Sequence, residues 1–120
     1  MAERDAVKLI YVVEPHADTA ILETDLLQAA GFAVRVVSPD DAGTAIEAGD
    51  AGLLLITAGP RDGVAATGLL AKANVAKVPV IVTTTGPTDL ERWKCAVAVL
   101  LKPFSFEELV AHVRAHFAAD

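Results

Sequence analysis

Five short apolar runs alternating with longer segments of helical periodicity constrain this sequence more than any other feature. The runs are Lys8 to Val13, Ala33 to Val37, Leu53 to Thr57, Val80 to Thr84 and Val97 to Leu101. Four of them are apolar almost throughout, as expected of strands covered on both faces. The first helical segment runs from Ala17 to Ala30. There Leu22, Leu26 and Ala29, flanked by Leu27 and Ala30, form one stripe, and Gly31 supplies a left-handed residue to end it. A second, short and Ala-rich helix follows Ser38-Pro39-Asp40, where Ser or Asp can cap the exposed amides. The third follows Asp62-Gly63 and carries Val64, Leu69 and Leu70; the fourth begins near Thr88 and includes Leu90 and Trp93. The last is the clearest. Ser105 with Glu108 forms a capping box, and Phe106, Leu109, Val110, Val113 and Phe117 share one face.

Strands alternating with helices imply right-handed crossovers and a parallel sheet covered on both sides. The expected architecture is α/β and flavodoxin-like, with five parallel strands in the order 2-1-3-4-5 and residues 1–120 as a single domain. A chain of 120 residues can bury a real core without disulfides or a metal. With 53% hydrophobic residues but only 5% aromatic, that core must be built from Val, Leu, Ile and Ala. The net charge of −6, with Lys and Arg scattered, disfavours direct binding to nucleic acid. Cys95 has no second thiol to pair with, which fits a reducing compartment and a cytoplasmic location. The charged opening Met1 to Ala6 and the interruption of the next apolar run by Glu14 argue against a signal peptide and a membrane span. No attached effector domain is expected.

An open parallel sheet gathers the carboxyl ends of its strands into one crevice, so the residues at those ends are the candidates for function. Glu14 follows the first run, Thr83-Thr84 closes the fourth, and Lys102-Pro103-Phe104 follows the fifth. The third run, Leu53-Leu54-Leu55-Ile56-Thr57, has no carboxylate at its end.

These residues resemble the receiver domains of two-component response regulators, over nearly the whole chain. The stretch Leu100-Leu101-Lys102-Pro103-Phe104-Ser105-Phe106-Glu107-Glu108-Leu109 is the most specific part of the likeness. The resemblance implies a first strand ending in an acidic pair that binds magnesium, and a third strand ending in an aspartate that accepts phosphate from a histidine kinase. A Thr or Ser ends the fourth, and Lys-Pro follows the fifth. Glu14, Thr84 and Lys102 fall on three of those positions.

The departures bear more directly on function. Pro15 stands where the second acid belongs and offers neither a carboxylate nor a backbone N–H. Counting from the start of the third strand puts Thr57 at the acceptor position, whereas counting back from Asp62-Gly63 puts Leu55 there. Neither register supplies an aspartate. A threonine hydroxyl must be deprotonated to attack, whereas a carboxylate is already a nucleophile at neutral pH. Acyl-phosphate chemistry is therefore expected to be lost, Glu14, Pro15, Thr57, Thr84 and Lys102 being remnants of a phosphorylation site. Without a phosphoryl group, Lys102 should pair with Glu14 or turn to solvent. No metal site and no cofactor are expected. The resemblance also implies an aromatic switch residue on the fifth strand, and Val99 occupies that position.

His112 and His116 lie at i, i+4, but no third ligand is evident. His16 reads as a loop residue at a helix start. Gly59 to Gly63 lacks the spacing and the Lys of a phosphate loop. The function expected is phosphorylation-independent recognition of a signalling protein, a kinase or effector, by a non-enzymatic pseudo-receiver that is a monomer or weak homodimer. Its binding face would comprise Trp93, Val97, Val99, Pro103 and Phe104. Two alternatives stand beside it. One is a phosphorelay acceptor using a noncanonical residue such as Asp62; the other is a strand-end crevice that binds a small anion or nucleotide at Lys102.

Overall fold

The computed structural model describes residues 9–58, 63–85, 93–102 and 104–117. Its elements, in chain order, are β1 (Leu9–Val13), α1 (Ala17–Ala29), β2 (Val34–Val36), α2 (Pro39–Ala48), β3 (Ala51–Ala58), α3 (Gly63–Ala76), β4 (Val80–Thr85), β5 (Ala98–Lys102) and α4 (Phe106–His116). The strands form one sheet in the order β2-β1-β3-β4-β5. All of its pairings are parallel, which gives the flavodoxin-like layout expected from the sequence.

Successive side chains of a strand point to opposite faces, so the sheet separates two cores. On one face Tyr11, Leu54, Ile56 and Val82 pack with Ile46 of α2 and Leu69, Leu70 and Ala73 of α3. On the other, Ile10, Val12, Leu53, Leu55 and Ile81 pack with Leu27 of α1 and Leu109 and Val113 of α4. β3 lies at the centre and is buried along nearly its whole length. It begins two residues before the expected Leu53, because Ala51 and Gly52 are small enough to enter the sheet beside Leu9 and are themselves buried.

The helix ends follow local chemistry. Ser38 Oγ accepts the Asp41 N–H at 3.1 Å, and α2 closes on Gly49 at φ 81°. α4 opens with the full capping box: Ser105 Oγ accepts the Glu108 N–H at 3.0 Å, and Glu108 Oε1 accepts the Ser105 N–H at 3.2 Å. Its buried residues are Leu109 and Val113, with Val110 and Phe117 half-covered, while Phe106 is exposed at the first turn.

The inner face of α1 differs from the expected one. α1 does not bury the stripe headed by Leu22, which is 47% exposed. Its inward residues are Ala20, Glu23 and Leu27, a spacing of three and four that includes a carboxyl. Most of the helix expected from Thr88 lies outside the described residues. Where the chain is described again, Trp93 to Val97 form a turn, with the Ala96 N–H donating to Trp93 O at 2.9 Å.

Candidate functional site

The sheet register decides which strand-end side chains can meet. Val12 lies beside Leu55, Val13 beside Ile56, and Thr57 beside Thr83; on the far side Thr85 lies beside Lys102. Ile10 and Val12 of β1, Leu53 and Leu55 of β3, Ile81 of β4 and Leu100 of β5 all face α1 and α4. Extending each row by one step along its strand brings Glu14, Thr57, Thr83 and Lys102 to the same face, at the carboxyl end of the sheet. Sequence alternation thus converts four apolar rows into one polar cluster at the end of the core.

Glu14 is its centre. The side chain is wholly buried, and its two oxygens meet three donors. Oε2 accepts the His16 N–H at 3.1 Å; Oε1 accepts the Thr57 hydroxyl and pairs with Lys102 Nζ at 3.5 Å. With the Thr57 proton committed to Glu14, the 2.9 Å contact between the Thr57 and Thr83 hydroxyls has Thr83 as donor. Of the two placements expected for Lys102, pairing with Glu14 or turning to solvent, the structure has the pair. Of the two residues that could occupy the acceptor position, Leu55 is buried in the core and Thr57 reaches the cluster.

Thr84 is placed differently. It pairs with Ala58, whose side chain belongs to the α2 and α3 core, so Thr84 is buried on the opposite face and Thr83 supplies the hydroxyl beside Thr57. The sequence shows both threonines. Only the register tells them apart.

Glu23 is the residue that sequence reasoning missed. It is 1% exposed on the inner side of α1, and neither carboxyl oxygen has a hydrogen-bond partner among the described residues. Burial pushes its carboxyl up to about 7; the Glu14 charge adds to the rise, and Lys102 opposes it. A carboxyl in the interior of a helix gives no sequence signal beyond its coincidence with the i−4 position of Leu27.

The magnesium implied by the receiver likeness does not fit these residues. The Glu14 oxygens are engaged by a hydroxyl, an amide and an ammonium, and Pro15 adds no ligand. Among the described residues no group of three His, Cys, Asp or Glu side chains could hold a metal. His112 and His116 stack 6.3 Å apart on α4. Beside Glu14 an open groove of about 460 Å³ runs between α1 and β2. The described residues lining it include the acids Glu14 and Asp25 and no base, a poor setting for an anion.

The expected binding face is divided. Trp93 is 2% exposed and belongs to the core over β4 and α3, so it presents no surface to a partner. Val97 and Leu101 are 41% and 54% exposed. Val99 packs partly against the Trp93 core and Phe104 partly against the α1 and α4 core. Pro103 and Asp62 lie outside the described residues.

No family model matches the sequence, and no curated protein matches it as a relative. Solved structures of similar fold include response regulators and their receiver domains. Full-length FixJ from B. japonicum is 26% identical with a TM-score of 0.73, over 91% of this chain and 57% of that one. The receiver domain of a CheY-like response regulator from Methanospirillum hungatei JF-1 is 18% identical with a TM-score of 0.67, over 86% and 88%. HP1043, an orphan response regulator of H. pylori, is 19% identical with a TM-score of 0.70, over 90% and 95%. The chain has the receiver-domain fold.

Proposed function

We propose that this chain is a pseudo-receiver, a module that recognises a signalling protein without being phosphorylated and without catalysing a reaction of its own. The observation that carries the reading is the closure of the strand-end cluster by its own side chains. At the end of β3 a threonine donates to Glu14 and accepts from Thr83, and the cation that would balance a phosphoryl group is paired with Glu14. Nothing in that arrangement is left as a nucleophile. The Thr57 hydroxyl donates to Glu14, a carboxylate already engaged by an ammonium and an amide, and a neutral alcohol is a far weaker nucleophile than the carboxylate a receiver uses.

What is left for recognition is surface, and the edge strand β5 offers it. Val97, just before that strand, and Leu101 on it stand exposed, with Val99 half-covered between them. Apolar side chains in a row on an edge strand suit burial against a partner. The partner proposed is a kinase or effector protein of a two-component pathway. The test is to recover partners from the native cell, then measure affinity for the one identified with Leu101→Asp, Val97→Asp and Lys102→Ala, with and without prior treatment by a small phosphodonor. Loss of at least tenfold with either Asp variant, equal affinity with and without the phosphodonor, and a much smaller effect of Lys102→Ala support the reading. A phosphodonor requirement would refute it, as would a dominant effect of Lys102→Ala; the latter would return the function to the crevice.

A further inference from the structure

Two carboxyls and one ammonium share the interior between α1 and the sheet. α1 leaves the carboxyl end of β1 and runs back across the face made by Ile10, Val12 and Leu55, seating Leu27 in that core. Glu23 lies one turn nearer the strand ends than Leu27, about 6 Å along the helix, and so at the level where the apolar rows give way to the Glu14 cluster. It is 1% exposed, and both of its oxygens lack a partner among the described residues.

Among the described residues the charges around it are few. β1 contributes Glu14 and β5 contributes Lys102, the two groups whose fields act on Glu23. β3 and β4 present Thr57 and Thr83, which do not titrate in the ordinary range. β2 carries Arg35, which pairs in the sheet with Tyr11 of the opposite face. On α4, Arg114 meets the other end of α1, at Ala30 O. Glu14 already holds the ammonium of Lys102 at 3.5 Å. A second anion buried with no hydrogen bond and no cation of its own is far costlier than a neutral carboxyl in the same place.

We propose that Glu23, seated behind the Glu14–Lys102 pair, is a proton-binding site that couples the docking of α1 on the sheet to the proton concentration. In the protonated form Glu23 lies neutral in the core and α1 is held. On deprotonation the carboxylate shares the buried interior with the Glu14 charge, and the turn of α1 that carries it lifts toward water. The proton goes to solvent, and no other bond changes.

The direction follows from linkage. Glu23 has an ordinary value of 4.5 and is raised to about 7 in the fold, so the docked state holds the proton over the range in which the undocked state has lost it. The stabilising contribution is complete below 4.5 and is lost as pH rises through about 7. From pH 6 to pH 8 that shift changes the docking equilibrium of α1 by roughly tenfold.

The experiment is a carbon-13 NMR titration of the glutamate carboxyls in the whole wild-type chain, together with hydrogen-exchange protection of the α1 and α2 amides corrected for the intrinsic pH dependence of exchange. The expected result is a Glu23 midpoint near 7, with protection of the Glu23 to Leu27 amides falling roughly tenfold from pH 6 to pH 8 while α2 is unchanged. Glu23→Gln, a neutral amide of the same shape, should keep α1 protection flat across that range. A Glu23 midpoint in the ordinary carboxyl range overturns the proposal. A raised midpoint with no selective change in α1 protection also overturns it. Both readouts come from the wild-type chain, so the test stands even where Glu23→Gln does not fold.

Discussion

Burying a carboxylate costs several kcal/mol unless its oxygens are met by donors, and Glu14 meets that requirement through His16, Thr57 and Lys102. Thr57 is therefore read as a structural donor. Thr57→Val keeps the shape and removes the hydroxyl from both Glu14 and Thr83, leaving buried oxygens underserved. It should destabilise the fold by about 1–3 kcal/mol, read as a lower urea midpoint with unchanged slope; a neutral effect would mean that the hydroxyl contributes nothing to holding Glu14. Lys102→Met removes the cation from the same carboxylate. The loss should fall below the ~3–5 kcal/mol of a fully buried pair, because the Lys102 side chain is 23% exposed. Trp93 belongs at this scale too. With its ring in the core, Trp93→Ala should cost about 3–5 kcal/mol of stability, measured by the same denaturation; retained stability would return Trp93 to the surface and to a role in binding.

Among the elements, α4 carries its own start signal, and Ser105→Ala should cost about 1 kcal/mol by deleting one half of the capping box. Gly49 ends α2 at φ 81° with open space around it, so Gly49→Ala should cost about 1–2 kcal/mol through backbone strain alone. Thermal melts of the two variants check both values, and an unchanged melt in either would show that the end is fixed by tertiary packing. These ends were legible in the sequence because a cap is local chemistry within four residues. The strands were legible for a different reason, since continuous apolar runs leave a doubly covered sheet as the only way to bury them. The inner face of α1 was not. Leu22 and Leu26 outweigh Glu23 in any reading by hydrophobicity, yet the helix is oriented by Leu27 entering the core over Ile10 and Val12. The choice between Thr83 and Thr84 was hidden for the same kind of reason, because strand parity depends on register and register belongs to the sheet. Trp93 was misplaced as a surface anchor because a tryptophan beside Arg92 and Lys94 looks exposed in one dimension.

At the scale of the molecule, five parallel strands bring their carboxyl ends to one place, and in this chain that place is filled by bonds among its own side chains. The same geometry accounts for a further expectation. Mg²⁺ at millimolar concentration should leave the amide spectrum around Glu14 unchanged, since a hard divalent cation needs several free oxygens and the Glu14 oxygens are engaged. Saturable shifts at Glu14 that vanish in Glu14→Gln would contradict this. The most direct test of the central claim, that recognition here does not depend on phosphorylation, is the intact mass of the chain after incubation with a small phosphodonor and Mg²⁺, beside a phosphorylatable receiver domain as positive control. The account predicts that the control gains one phosphoryl group and this chain keeps its mass. A phosphorylated species of this chain, mapped to Thr57, Asp62 or any other residue, would contradict it.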